Sequence, residues 1–273
     1  SVEAWDRRTE AFTRAGSLTR RRSLSTATLL PDGRILIVGG SGAGRTSAEL
    51  WDPVIEDSEP AGSLTDGRSG HTATLLPDGR VLVLGGWGVE DRALASAETW
   101  DPATRSFEPT GSLAEVRWGH TATLLPDGRV LVVGGSASDG SARTSAEAWN
   151  PATGSFEPAG SLALGRYQHT ATLLPDGRVL LVGGSGGLAS AELWDPDTAT
   201  FSTAASLGEG RWGHTATLLP DGRVLVVGGG GTAGTSGSAE VWARSEAEPA
   251  ANEDSDESMT PARGWLREVP GVQ

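Results

Sequence analysis

A nine-residue stretch, TATLLPDGR, recurs five times without a changed residue, beginning at Thr26, Thr72, Thr121, Thr170 and Thr215. Each copy runs into a short apolar segment closed by a glycine pair: Gly39/Gly40, Gly85/Gly86, Gly134/Gly135, Gly183/Gly184 and Gly228/Gly229. Successive copies lie 46, 49, 49 and 45 residues apart. A period in that range, holding only strand and turn signals, predicts propeller blades or turns of a β-solenoid, because one such unit cannot bury both its faces alone. The repeat occupies most of the 273 residues, so a single repeat domain with a tail is expected and no second core.

A full unit, Arg117 to Leu162, parses into four strands. HTATLL is the first, and PDG supplies the proline and glycine of a tight reversal. RVLVV is the second, a continuous apolar run suited to a strand covered on both faces. The third is SAExW, ended by Asp-Pro or Asn-Pro, and the fourth is centred on SFEPAGSL. An aromatic falls seven residues after the third-strand tryptophan in four cases: Trp5 to Phe12, Trp100 to Phe107, Trp149 to Phe156 and Trp194 to Phe201. After Trp51 that slot holds Ser58, which predicts a looser outer strand there.

A glycine pair closing an apolar strand, then an aromatic followed by Asp, then a second aromatic after a short turn resembles the kelch repeat. The resemblance covers residues 1 to 242 and is closest to bacterial kelch-like variants. It departs in placing Trp where kelch blades often have Tyr, and Phe where they often have Trp. It implies four-stranded blades of an all-β propeller and, as function, a surface that holds a protein or peptide partner.

Twenty-one strands are expected, one more than five blades need. The expectation is therefore a five-bladed kelch-type propeller over 1–244, closed by the N-terminal strand around Phe12, which would complete the blade ending at Trp242. Residues 1 to 18 match the second half of a repeat, so the chain opens in mid-repeat and leaves room for a leader or earlier repeats ahead of it. Residues 245–262 are rich in Glu, Asp, Ser, Ala and Pro and read as a flexible acidic linker, too poor in apolar side chains to offset the cost of ordering. Residues 263–273 regain Trp265, Leu266, Val269 and Val272, and read either as a frayed terminus or as a short docking peptide.

The formal net charge of −13 argues against attachment to nucleic acid or an anionic membrane, since both need a basic face. No apolar run reaches the length of a membrane-spanning helix. Cysteine is absent, which removes disulfides, thiol nucleophiles and the tyrosine–cysteine copper site of some kelch-type oxidases; Tyr167 is the only tyrosine. That absence does not choose a compartment. No nucleophile elbow, phosphate loop or HExxH pair is present, and no cofactor is expected.

Any recognition surface is expected at the end of each blade that carries the connections between strands two and three. These differ from copy to copy, namely SGAGRT, WGVEDRALA, SASDGSART, SGGLA and GGTAGTSG, whereas the PDG and DPxT turns at the other end are monotonous. The residue after a repeated arginine is Ser23, Ser69, Trp118, Tyr167 and Trp212 in turn, and Trp87 starts a nearby connection. Trp87, Trp118, Tyr167 and Trp212 either line a binding mouth or pack on neighbouring blades. Arg68, Arg117, Arg166 and Arg211 are expected to tie blade to blade or to capture an anion. His71, His120, His169 and His214 share one slot, and backbone bonds to the next blade explain them more simply than a metal. Glu115 and Glu209 read as solvated loop charges. The leading expectation is a noncatalytic protein-binding scaffold; the alternative is a lectin-like or mutarotase-like carbohydrate site on the aromatics.

Overall fold

The computed structural model describes residues 1–232 and 234–244, together with the backbone of Trp265–Arg267. The acidic linker assigned to 245–262 and the rest of the C-terminal peptide lie outside the described residues. Among the described residues every regular element is a strand. The chain divides into two compact units, Ser1–Ala159 and Gly160–Gln273.

The chain opens with a hairpin of β1 (Glu3–Asp6) and β2 (Ala11–Arg14). Blade 1 follows, with β3 (Thr26–Leu29), β4 (Ile35–Val38), β5 (Ser47–Asp52) and β6 (Asp57–Ser63). Blade 2 is β7 (Thr72–Leu75), β8 (Val81–Leu84), β9 (Ser96–Asp101) and β10 (Ser106–Ser112), and blade 3 is β11 (Thr121–Leu124), β12 (Val130–Val133), β13 (Ser145–Asn150) and β14 (Ser155–Ser161). Blade 4 contains β15 (Thr170–Leu173), β16 (Val179–Val182), β17 (Ala191–Asp195) and β18 (Thr200–Ala204). In blade 5, β19 (Thr215–Leu218) and β20 (Val224–Val227) are followed by a two-residue ladder, β21 (Gly230–Gly231) with β22 (Gly234–Thr235), and then by β23 (Ala239–Trp242) and β24 (Trp265–Arg267). The fold is thus five four-stranded antiparallel blades of a β-propeller, each sheet following chain order.

The repeat fixes the register. The first residue of the second strand faces the third-strand tryptophan in every blade: Ile35↔Trp51, Val81↔Trp100, Val130↔Trp149, Val179↔Trp194 and Val224↔Trp242. Outside them, Trp100 pairs with Phe107 and Trp194 with Phe201. The looser outer strand expected at Ser58 is not found. β6 is seven residues long, as are β10 and β14, and the Ser58 hydroxyl donates to Glu49 Oε2 at 3.1 Å in place of the missing ring.

The expected closure by the N-terminal strand is corrected. The strand holding Phe12 pairs with β1, in the register Trp5↔Phe12, and the hairpin packs through Val2 and Ala4 against Ile37 and Trp51 of blade 1. The outer strand of blade 5 is β24 instead, in the register Trp242↔Trp265. Residues 1 to 18 already form a complete strand-three and strand-four pair with a tight turn, so their hydrogen bonds close locally. Trp265 takes the backbone slot that phenylalanine holds elsewhere.

The second strands of blades 1 to 4 are buried along nearly their whole length, which is why they read as unbroken apolar sequence. Leu36, Val38, Ala48 and Leu50 of blade 1 meet Val81, Val83 and Trp100 of blade 2. Leu82, Leu84 and Ala97 meet Val130, Val132 and Trp149 in the same way, and Leu180, Val182 and Ala191 meet Val224, Val226 and Trp242. Each such valine or leucine contributes about 1.5–3 kcal/mol when fully buried. Two of these tryptophans are also anchored by their ring N–H, Trp51 Nε1 to the Ala15 carbonyl at 3.1 Å and Trp100 Nε1 to the Ala61 carbonyl at 2.9 Å.

Candidate binding surface

The repeated arginines lie inside the blades. Arg68, Arg117, Arg166 and Arg211 are each 0% exposed. Arg68 donates to the Gly85 and Ser96 carbonyls at 3.0 and 2.9 Å and to Glu98 Oε1 at 2.8 Å. Arg117 reaches Glu147 at 2.5 Å, Arg166 reaches Glu192 at 2.6 Å and Arg211 reaches Glu240 at 2.7 Å, each with the matching glycine and serine carbonyls. Arg22 pairs with Glu49 likewise. The glutamate is the third residue of each SAExW strand, and its other oxygen accepts an N–H from the connection entering the blade, at Thr65, Ala114, Ala163 and Gly208. Burial pushes the guanidinium groups of Arg68, Arg117 and Arg166 below their ordinary value, and the facing glutamates oppose it. These arginines are therefore held by their own blades and not turned toward a ligand. A buried charge needs such complete satisfaction.

The bond between blades comes from the arginine backbone. Gly40 N–H donates to the Arg68 carbonyl at 2.8 Å, Gly86 to Arg117 at 2.9 Å and Gly184 to Arg211 at 2.8 Å. The histidine three residues on completes the joint. Its Nε2 shares a hydrogen bond with a first-strand threonine hydroxyl of the preceding blade: His71 with Thr26 at 3.0 Å, His120 with Thr72 at 3.0 Å and His214 with Thr170 at 2.9 Å. The partner is thus a side chain behind, where the sequence suggested backbone ahead. A Cβ on Gly85 would stand 2.6 Å from His120 Cε1 and 2.7 Å from the Arg117 carbonyl, which explains the glycine pair. Burial first, and the neighbouring arginine second, depress His71 and His169 to about 3 and His214 to about 4, so the rings are neutral. Among the described residues no three His, Asp or Glu side chains gather in metal-binding geometry.

At the other end the PDG turns close on themselves. Asp78 accepts Arg80 N–H at 3.0 Å and its Nε at 2.7 Å, and the same pattern holds at Asp32, Asp127, Asp176 and Asp221.

In the first unit the variable connections join into one surface. Arg45 donates to the Gly88 carbonyl at 2.8 Å, linking the blade 1 and blade 2 connections, and Ser138 Oγ accepts Ala93 N–H at 2.8 Å, linking those of blades 2 and 3. The Trp87 and Trp118 rings meet edge to face, with centroids 5.8 Å apart. Both are half-buried, and the Trp118 ring lies 4.0 Å from where a Cβ on Gly70 of the preceding blade would stand. Each tryptophan is fixed by a two-way backbone bridge, Trp87 with Ser69 and Trp118 with Ser136. A backbone chain also runs from blade to blade, Gly70 N–H to the Leu24 carbonyl at 3.0 Å and Gly119 N–H to the Gly70 carbonyl at 3.3 Å. Each of these positions has φ near +60°, which glycine takes easily and Leu24 takes under strain. Sequence reading missed that slot because leucine and, at 168, glutamine hide it.

In the second unit Trp212 is 41% exposed and borders an open depression of about 510 Å³ with Gly229, Gly230, Thr235 and Ser236. Gly230 is needed there because a Cβ would come within 2.7 Å of the indole. Tyr167 is half-buried, its carbonyl accepting Ser185 N–H at 2.8 Å. Glu115 is not a free loop charge: it pairs with Arg143 at 3.1 Å and accepts from the Ser145 hydroxyl. Glu209 is more open and accepts from Ser236 and Ser238, each at 3.1 Å.

No protein-family model matches the chain, and no curated protein matches it. It is similar to a solved structure described as "Structure of YjhT", with a TM-score of 0.68 and 14% identity over 82% of each chain. At that identity the likeness speaks for the fold alone.

Proposed function

We propose that the protein is a noncatalytic binding scaffold of the kelch-type propeller class, holding a protein or peptide partner on its variable connections. The observation that carries this reading is the surface of the first unit, where three unequal connections are cross-linked by Arg45–Gly88 and Ser138–Ala93 around Trp87 and Trp118. Such a patch is preorganised, and paired aromatics are the usual anchors of an interface. Most groups that could otherwise carry acid–base chemistry are engaged internally, the arginines by glutamates, His71, His120 and His214 by threonines and Glu115 by Arg143, while Glu209 stays more open.

A carbohydrate reading draws on one further observation, the exposed Trp212 beside its depression. Affinity capture with the full chain, its Trp87→Ala/Trp118→Ala variant and an Arg80→Ala control tests the proposal. A specific protein retained by wild type and control and lost from the double variant supports it. A saturable glycan signal that Trp212→Ala abolishes, with no such protein retained, replaces it with the carbohydrate reading.

A further inference from the structure

In blades 1, 2 and 4 the face that receives the next blade is built from the same five repeat positions. In blade 1 these are Leu30, Leu36, Val38, Ala48 and Leu50, all buried. The equivalents Leu76, Leu82, Leu84 and Ala97 in blade 2, and Leu174, Leu180, Val182 and Ala191 in blade 4, are buried too. In blade 5 the set is Leu219, Leu225, Val227, Ala239 and Val241, and not one of them is buried; Val227 is 41% exposed.

The polar half of the joint is unfilled as well. A Cβ on Gly39, Gly85 or Gly183 would strike the next blade's histidine ring and arginine carbonyl at 2.5–2.9 Å, whereas one on Gly228 would meet only the Ser236 carbonyl, at 3.8 Å. Gly40, Gly86 and Gly184 donate their N–H to the carbonyl of the next repeat's arginine, and no further repeat follows Gly229 among the described residues to offer one. Thr26, Thr72 and Thr170 bind a following histidine, while the equivalent Thr215 is exposed. The surface is thus a complete receptor lacking its occupant, and the chain itself shows at its filled joints what that occupant looks like.

We propose that this face of blade 5 docks the first two strands of one more repeat of the chain's own kind, offered in trans. The occupant carries an arginine whose backbone carbonyl accepts Gly229 N–H, a histidine three residues later that sits over Gly228 and bonds Thr215, and an apolar strand that covers Leu225 and Val227. The filled joints supply the specificity: histidine and glycine pair fit only in this register, and a strand of opposite face polarity would leave the buried donor unmet.

A fluorescently labelled peptide copying residues 117–135, RWGHTATLLPDGRVLVVGG, is titrated into the full chain by anisotropy, with a scrambled peptide beside it. Saturable one-to-one binding of the repeat peptide alone is expected. Val227→Asp should weaken it about tenfold or more, since a carboxylate would be desolvated in the joint. A His→Ala peptide should also bind less tightly, and circular dichroism checks that the variant chain is folded. Absence of saturable binding overturns the proposal. So does binding that survives Val227→Asp, which would place the peptide elsewhere, for instance on the inner edge of β1. A concentration-dependent dimer of the chain alone, abolished by Val227→Asp, assigns the face to a second copy and overturns it too.

Discussion

Replacing Glu98 by alanine isolates the tie on which each blade depends. In blade 2 the Arg68 guanidinium is wholly buried, and its charge is met by Glu98 at 2.8 Å. Removing the carboxylate leaves that cation without a counterion and strips Thr65 N–H of its 2.9 Å acceptor. Breaking one side of a buried pair costs about 3–5 kcal/mol, and an orphaned buried N–H about 1–3 kcal/mol. The two effects overlap, so a loss of about 4 kcal/mol is expected, a large share of the 5–15 kcal/mol that typically holds a domain. Asp78→Ala is the internal comparison: it removes an exposed pair with Arg80, worth about 0–1 kcal/mol. Urea unfolding followed by tryptophan fluorescence and by circular dichroism reads both variants. If Glu98→Ala loses no more than Asp78→Ala, the arginine–glutamate pair is not what holds the blade, and the reasoning fails.

Acid should destabilise the fold through its histidines. Their folded values lie near 3 to 4, below the ordinary value, so the unfolded chain binds more protons and stability falls as pH drops from about 6.5 toward 4. Each such histidine should cost about 1 kcal/mol between pH 7 and 5.5, and His71→Gln should flatten the urea-midpoint profile over that window. Gly85→Ala should destabilise by more than 2 kcal/mol, roughly, through backbone strain and collision with His120, whereas Gly228→Ala at a similar φ should cost only the strain, about 1 kcal/mol. Ending the chain at Arg244 removes β24, and amide exchange across Ala239–Trp242 should then accelerate.

Much of the fold was legible because the same physical demand recurs five times. TATLLPDGR gave strand, turn and strand, and the tryptophan slot gave the register. The closure was misread because Phe12 fits the seven-residue aromatic spacing while Trp265 lies 23 residues after Trp242, and only hydrogen bonding shows that Trp265 stands beside it. The site was less legible. Arginine and histidine in a repeated slot look alike whether they serve a ligand or a joint, since spacing does not reveal burial. The glutamate of SAExW, which decides the matter for arginine, was visible as a residue but not as a partner, because it lies 30 residues away. The cross-linking of the connections by Arg45 and Ser138 left no sequence signal at all.

The most direct measurement is residue-resolved amide exchange on the full chain, comparing the second glycine of each pair. Gly40, Gly86 and Gly184 should be strongly protected, because each N–H is held by the next blade's arginine carbonyl, while Gly229 should exchange like a surface amide. Similar, fast exchange at all four would contradict the joint between blades, and with it both the scaffold and the vacant face of blade 5.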